Sequence, residues 1–160
     1  MDAKKADTLR VMTILFDKLK VPPCVTFAFM QSICYGWLTD KRLMNYPVRP
    51  CVFCCNDPTA TDDFYHYAVC SVVWRVYAKI GLGSPPHEHH CIRHLLLIVG
   101  TDNMELRMAF LHACMISVHK LRGPAFAVKR ENRERYIMAN FKCSVSRDSN
   151  LKRLYNQLWS

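Results

Sequence analysis

A short run of cysteines with one histidine constrains the fold of this chain more than any other feature. Cys51 and Cys54 are separated by two residues, and His66 and Cys70 follow four residues apart, within the stretch CVFCCNDPTATDDFYHYAVC. Two cysteines this close on a tight loop can place both sulfurs on one metal ion. A His and a Cys at positions i and i+4 of a helix add an imidazole and a third thiolate from one face. Together they make the Cys3His set that Zn²⁺ accepts in tetrahedral geometry.

Four protein ligands would fill the coordination shell of zinc and leave no position for water. The sequence therefore predicts a structural zinc site rather than a catalytic one. Cys55 leaves an ambiguity, because it could replace Cys54 as the ligand or pack beneath the loop. The cysteines could also be ordinary core residues, since free cysteine is among the most buried residue types.

Apolar residues recur at helical spacing along most of the chain. This pattern predicts an all-α fold, a small multi-helix domain with the zinc knuckle between helices. The predicted helices span residues 7–19, 24–37, 64–80, 104–121 and 148–159. We expect helices 24–37 and 64–80 to pack face to face and to bury Phe27, Trp37, Val73 and Trp74. The segment GLGSPPH marks a break, so we divide the chain into a zinc-binding module (1–83) and a helical, basic segment (84–160) that could pack with it as one domain.

Histidines elsewhere in the chain are weaker candidates for metal ligands. Residues 87–94, within HEHHCIRH, could bind a transition metal, but the HExxH pattern is absent, and a polar helix start is the simpler interpretation. His112 and His119 lie seven residues apart on a predicted helix. We expect them to be surface residues or hydrogen-bonded core residues.

The chain is strongly basic, with 22 Lys and Arg against 13 Asp and Glu and a net charge of +9. This balance favours a polyanionic partner, of which nucleic acid is the commonest. Residues 120–160 hold ten Lys and Arg against three Asp and Glu, so the surplus is mostly C-terminal. The cations expected to contact the phosphate backbone of RNA or DNA are Lys41, Arg42, Arg49, Lys129, Arg130, Arg133 and Arg135. For residues 129–135 the alternative is a solvated helix face with an i,i+4 pair between Glu131 and Arg135.

The cellular setting follows from apolar runs and cysteine number. No apolar run approaches the ~18 residues of a membrane span, and the N-terminus lacks the pattern of a secretory signal. We therefore expect an intracellular protein without a membrane partner. Nine cysteines, an odd number, then indicate free thiols and metal ligands rather than a disulfide framework.

An ordered series of motifs covers roughly residues 15–78. A Leu-x-x-Pro-Pro entry is followed by an aromatic-rich helix, a capped basic turn, a CxxC knuckle and an acidic-x-x-His…Cys…Trp helix. The residues that carry it are Leu19, Pro22, Pro23, Phe27, Leu38, Thr39, Leu43, Cys51, Cys54, Asp63, His66, Cys70 and Trp74. This series resembles the zinc-binding domain of reverse transcriptase proteins from non-LTR (LINE-type) retrotransposons.

The resemblance implies a non-catalytic, zinc-stabilised module that binds nucleic acid, from the C-terminal region of a reverse transcriptase. It also implies a nuclear location and a polymerase domain as a protein partner. Nothing in these residues resembles the acidic polymerase motif, so we predict no enzymatic activity for this chain alone. The alternative function is a zinc-stabilised protein–protein interaction module without nucleic-acid binding.

Overall fold

The computed structural model describes residues 20–34, 36–84, 102–122 and 132–160 of the 160-residue chain. These residues form six α-helices and no β-strand, which confirms the predicted all-α fold class. The helices are α1 (Pro23–Ile33), α2 (Phe64–Val69), α3 (Ser71–Ile80), α4 (Met104–Leu121), α5 (Arg133–Ser146) and α6 (Ser149–Gln157). The predicted helix 7–19 and the histidines of residues 87–94 lie outside the described residues.

Helix α1 is shorter than the predicted helix 24–37. Pro23 occupies its first position, where the missing N–H of proline has no intrahelical partner to lose. The helix ends at Ile33 and packs mainly against α4 rather than against residues 64–80. As a result Phe27 is 63% exposed, so its predicted burial is wrong. Trp37 follows the helix and is buried as expected, with its ring centroid 5.1 Å from that of Phe64.

The predicted helix 64–80 is interrupted at Cys70. Asp63 caps α2 by accepting a hydrogen bond from the backbone N–H of Tyr65. Cys70 then adopts an extended conformation, with ψ of 123°, before α3 begins at the next residue. Helix α3 ends at Ile80 and is capped by Gly81, whose φ of 88° is accessible to glycine at little cost. Cys70 therefore lies at a corner between two helices.

Helix α4 is the centre of the core. It occupies the predicted range 104–121 and is buried around most of its circumference, packing against α1, α5 and α6. Edge-to-face contacts link Phe110 on this helix to Tyr77 of α3 and Phe141 of α5. Helix α5 also packs against α3. Helices that follow residue 83 thus bury the helices that precede it.

Helix α6 begins where the sequence predicts. The carboxylate of Asp148 accepts a hydrogen bond of 2.8 Å from the backbone N–H of Leu151. Across the described ranges, the helices are all too short or too polar to cross a membrane.

Candidate metal centre

Three cysteines and one histidine converge at one end of the helical core. Their ligand atoms, the Sγ atoms of Cys51, Cys55 and Cys70 and a ring nitrogen of His66, all lie within 4.8 Å of one another. The Sγ atoms of Cys51 and Cys70 are 3.9 Å apart, and Sγ of Cys55 is 3.3 Å from Nε2 of His66. No disulfide bond joins any of the eight cysteines in the described ranges. The group can hold a metal ion.

The loop that carries two of the ligands is closed at its base by the backbone. An isolated antiparallel bridge joins Pro50 to Thr61. The N–H of Cys51 donates to the carbonyl of Ala60 at 3.0 Å, and the N–H of Asp62 donates to the carbonyl of Arg49 at 2.8 Å. The loop therefore returns directly to α2, which supplies His66, and the corner after α2 supplies Cys70.

The structure brings Cys55, rather than Cys54, into the group. Residues 51–54 form a tight turn in which the N–H of Cys54 donates to the carbonyl of Cys51 at 3.0 Å. Cys54 adopts the left-handed conformation, with φ of 52°. The chain reverses there, so the following residue, Cys55, places its sulfur beside His66. Three of the four predicted ligands thus meet, and the fourth is the alternative that the sequence left open.

Backbone amides support two of the sulfurs. The N–H of Phe53 hydrogen-bonds the sulfur of Cys51, and the N–H of Asp57 hydrogen-bonds the sulfur of Cys55, in each case two residues along the chain. Both contacts favour the thiolate but are outweighed, because contact with the Cys70 sulfur raises the pKa of Cys51 and burial raises the pKa of Cys55. Such amide contacts orient metal ligands and stabilise their charged form.

The remaining surroundings favour protonated thiols while no cation is present. Contact with the Cys70 sulfur, together with burial, raises the pKa of Cys51 to about 12. Burial lowers the pKa of His66, but the neighbouring Cys51 outweighs it and raises that pKa overall. A metal cation would stabilise the thiolates and displace these protons. Metal binding at this site should therefore release protons.

A buried ionic cluster fixes the loop to the rest of the core. Asp40 and Asp62 are at most 1% exposed. Arg49 contacts Asp40 through Nε at 2.7 Å, and Arg122, at the end of α4, contacts both carboxylates, with its Nε 2.8 Å from Oδ2 of Asp62. The Arg49 guanidinium holds the pKa of Asp40 well below its usual range, against the opposing effect of burial. Tyr67 of α2 also donates to Asp62, at 2.6 Å.

The cations predicted to contact nucleic acid fall into different environments. Lys41 contacts Asp63 at 2.6 Å, and Arg49 belongs to the buried ionic cluster. Nη1 of Arg133 donates to the carbonyl of Val52 at 2.7 Å, so this residue supports the metal loop. Arg42 and Arg135 are exposed, whereas Lys129 and Arg130 lie outside the described residues.

His112 and His119 of α4 are both hydrogen-bonded within the protein, and only His112 is buried. Nδ1 of His112 lies 3.2 Å from the hydroxyl of Ser144, and Nε2 of His119 accepts from the backbone N–H of Leu38 at 3.2 Å. Neither belongs to the metal group. No local pattern indicated that Arg122 pairs with Asp62, because the two residues lie far apart in the chain.

Comparison of the chain with protein-family models, with curated proteins and with solved structures finds no match.

Proposed function

We propose that this chain is a non-catalytic, zinc-stabilised module that binds nucleic acid. The observation that carries the proposal is the convergence of the four ligand atoms within 4.8 Å. A tetrahedral zinc ion, with Zn–S of about 2.3 Å and Zn–N of about 2.0 Å, separates two sulfurs by about 3.8 Å and a sulfur from a nitrogen by about 3.5 Å. The corresponding distances here are 3.9 Å for Cys51 and Cys70 and 3.3 Å for Cys55 and His66.

The donor set supports zinc over other cations. Thiolates select zinc, Cu(I) and iron–sulfur clusters, whereas the hard cations Mg²⁺ and Ca²⁺ require oxygen ligands. Three thiolates with one imidazole are a common structural zinc set, and four protein ligands leave no open position for a reacting water. The role we propose for the ion is therefore to hold the loop against α2 and α3.

Metal analysis of the purified protein tests the zinc assignment. We expect about one zinc per chain without added metal, and visible absorption typical of tetrahedral cobalt–thiolate coordination after exchange for Co²⁺. Cys51→Ser or His66→Ala should release the metal and lower the melting temperature by many degrees, because structural zinc binding contributes on the order of 10 kcal/mol. A metal-free protein that is fully folded and equally stable would contradict the assignment.

The charge distribution supports the nucleic-acid part of the proposal. Residues 132–160 carry six Lys and Arg and only two acidic residues. Both acids are engaged within the protein, since Glu134 pairs with Arg75 and Lys79, and Asp148 caps α6. Exposed cations on or beside α5 are available for phosphate contacts with RNA or DNA, and they are Arg135, Lys142 and Arg147.

Salt dependence tests this second part. Binding of RNA or DNA through phosphates releases counterions and should weaken steeply as salt rises. Replacing Lys129, Arg130 and Arg135 by Gln should reduce affinity and flatten the salt dependence while zinc content is kept. Arg133 is spared in this variant because its guanidinium supports the carbonyl of Val52. If the folded, zinc-loaded variant kept its nucleic-acid affinity and salt dependence, these cations would not contact the nucleic acid.

We further propose kinship with the zinc-binding domain of non-LTR retrotransposon reverse transcriptases. The order of motifs across residues 15–78 supports it, and it would give the chain a nuclear role and a polymerase domain as partner. The encoding genome provides the test. An in-frame polymerase upstream would agree with the proposal, and an isolated reading frame with its own promoter would favour a standalone module.

A second candidate function is protein–protein interaction, and exposed apolar side chains favour it. Leu43, Met44 and Tyr46 are 48%, 78% and 82% exposed in the segment that follows Asp40. Exposed apolar side chains that form one patch mark interaction sites, and these three lie within four consecutive residues. A complex held by them should respond weakly to salt, whereas phosphate contacts should respond strongly. Pull-down with a polymerase domain at low and high salt would separate the two functions.

A further inference from the structure

A groove of about 430 Å³ lies between α3 and α5. Arg135, Met138 and Lys142 recur at three- and four-residue steps, so they form one stripe along α5. Across that stripe, α3 contributes Lys79 and Val76. The full lining is Val76, Lys79, Glu134, Arg135, Met138, Ala139 and Lys142. The groove thus has cations at its sides and apolar atoms between them, within the size range of binding sites for small organic groups.

Glu134 lines this groove and forms ion pairs with two of the nearby cations. Its Oε1 is 2.6 Å from Nε of Arg75, and its Oε2 contacts Nζ of Lys79. The side chains of Arg75 and Lys79 remain 50% and 59% exposed. A smaller cavity of about 170 Å³ also borders Glu134 and is lined by Arg75 and Arg133 near the metal loop. Cations therefore follow α3 and α5 from the metal loop to Lys142.

We propose that this groove binds a single strand of RNA or DNA. Lys79, Arg135 and Lys142 contact phosphate oxygens, and a base lies over the apolar atoms of Met138 and Ala139. The inference rests on the nucleic-acid binding proposed above and assigns it a site. Arg135 and Lys142 are two helical turns apart, about 10 Å, so they engage different phosphates of one strand.

The apolar atoms of the groove favour a single strand over a duplex. Bases in a duplex are stacked and paired, so its backbone can reach the cations but its bases cannot enter the groove. A single strand presents unstacked bases together with its phosphates, and proteins that bind it combine a cationic groove with side chains on which bases stack, most often aromatic ones. In this groove Met138 and Ala139 provide the apolar contact instead. Glu134 then competes with the nucleic acid, because its carboxylate pairs with Arg75 and Lys79 where a phosphate would otherwise bind them.

Titration of labelled single-stranded oligonucleotides, one RNA and one DNA, into the zinc-loaded full chain tests the proposal. The double variant Arg135→Gln with Lys142→Gln should weaken binding about tenfold at low salt and lower the salt slope by about 1.4, the value for two phosphate contacts on a single strand. The matched control is Lys152→Gln with Arg153→Gln on α6, which removes the same charge outside the groove. It should bind nearly as the unmodified chain does. Glu134→Gln should tighten binding, because it releases two cations.

The outcomes separate failure of the site from failure of the function. If the unmodified chain binds neither oligonucleotide at low salt, the nucleic-acid function and the groove are both wrong. If it binds but the groove variant binds equally well, or the α6 control loses as much affinity, the function stands and the groove is wrong. Tighter binding of a duplex than of the single strand, or weaker binding after Glu134→Gln, would also overturn the assignment. Zinc content and melting temperature confirm that every variant is folded.

Discussion

Sγ of Cys55 lies 3.3 Å from Nε2 of His66, whereas Cys54 stays outside the metal group. We predict that Cys55→Ser loses metal affinity by more than about 100-fold, since changes to residues that merely support a ligand already cost 10- to 100-fold. Cys54→Ser should keep one zinc per chain. Competition with a chromogenic chelator measures both affinities. If only the Cys54 variant lost zinc, Cys54 rather than Cys55 would be the fourth ligand.

Metal affinity should rise steeply with pH. The raised pKa values of Cys51 and His66 mean that the metal-free site holds protons at neutral pH, and zinc must displace them. The affinity should therefore increase by more than tenfold per pH unit while more than one proton is released. Calorimetric titration in two buffers of different ionisation enthalpy counts those protons. A pH-independent affinity would show that the thiols are already ionised.

The buried ionic cluster should have a large effect on the free energy of unfolding, both at acid pH and when its residues are substituted. Because the pKa of Asp40 is depressed, its stabilising effect is present above the ordinary aspartate pKa of about 3.9. The effect falls progressively as the pH drops below that value. Asp40→Asn should cost more than the loss of a surface pair and at most about 3–5 kcal/mol, because Arg49 and Arg122 both lose a buried carboxylate. Arg122 then keeps only Asp62. Urea denaturation at neutral pH measures the loss.

Glu134→Gln is the matched control for the Asp40 variant. Its ion pairs with Arg75 and Lys79 are partly exposed, and surface pairs typically contribute about 0–1 kcal/mol. If both variants lose the same small amount of stability, the buried cluster does not hold the loop.

Arg133 should affect the metal and Arg135 should not. Arg133 donates to the carbonyl of Val52, one residue after a ligand, while Arg135 is exposed on the same helix. We predict that Arg133→Gln weakens zinc binding by about tenfold, in the range for residues that support metal ligands. Arg135→Gln should leave zinc affinity unchanged. The same chelator competition measures both zinc affinities. If the two variants bind zinc equally well, Arg133 does not support the metal loop and contributes only to the surface charge.

The sequence predicted the helical class, the limits of α4 and three of the four grouped ligands, because these depend on local spacing. It did not predict the break at Cys70, since the apolar pattern continues without interruption through that residue. The exchange of Cys54 for Cys55 depends on one left-handed residue in a turn, and spacing alone carries no information on the sign of φ. Nor does any local pattern report that Arg122 reaches Asp62, because that pair is a product of tertiary packing.

All four grouped ligands precede residue 71, yet Arg122 and Arg133 follow residue 120. Transplanting residues 51–70 into another scaffold would carry a buried aspartate without its cation and a Val52 carbonyl without its donor. Residues 51–70 should therefore not form the same metal-binding structure outside this chain. Among related sequences, we expect substitutions in the cysteine loop and in the C-terminal helices to occur together, so that Asp62 changes when Arg122 does.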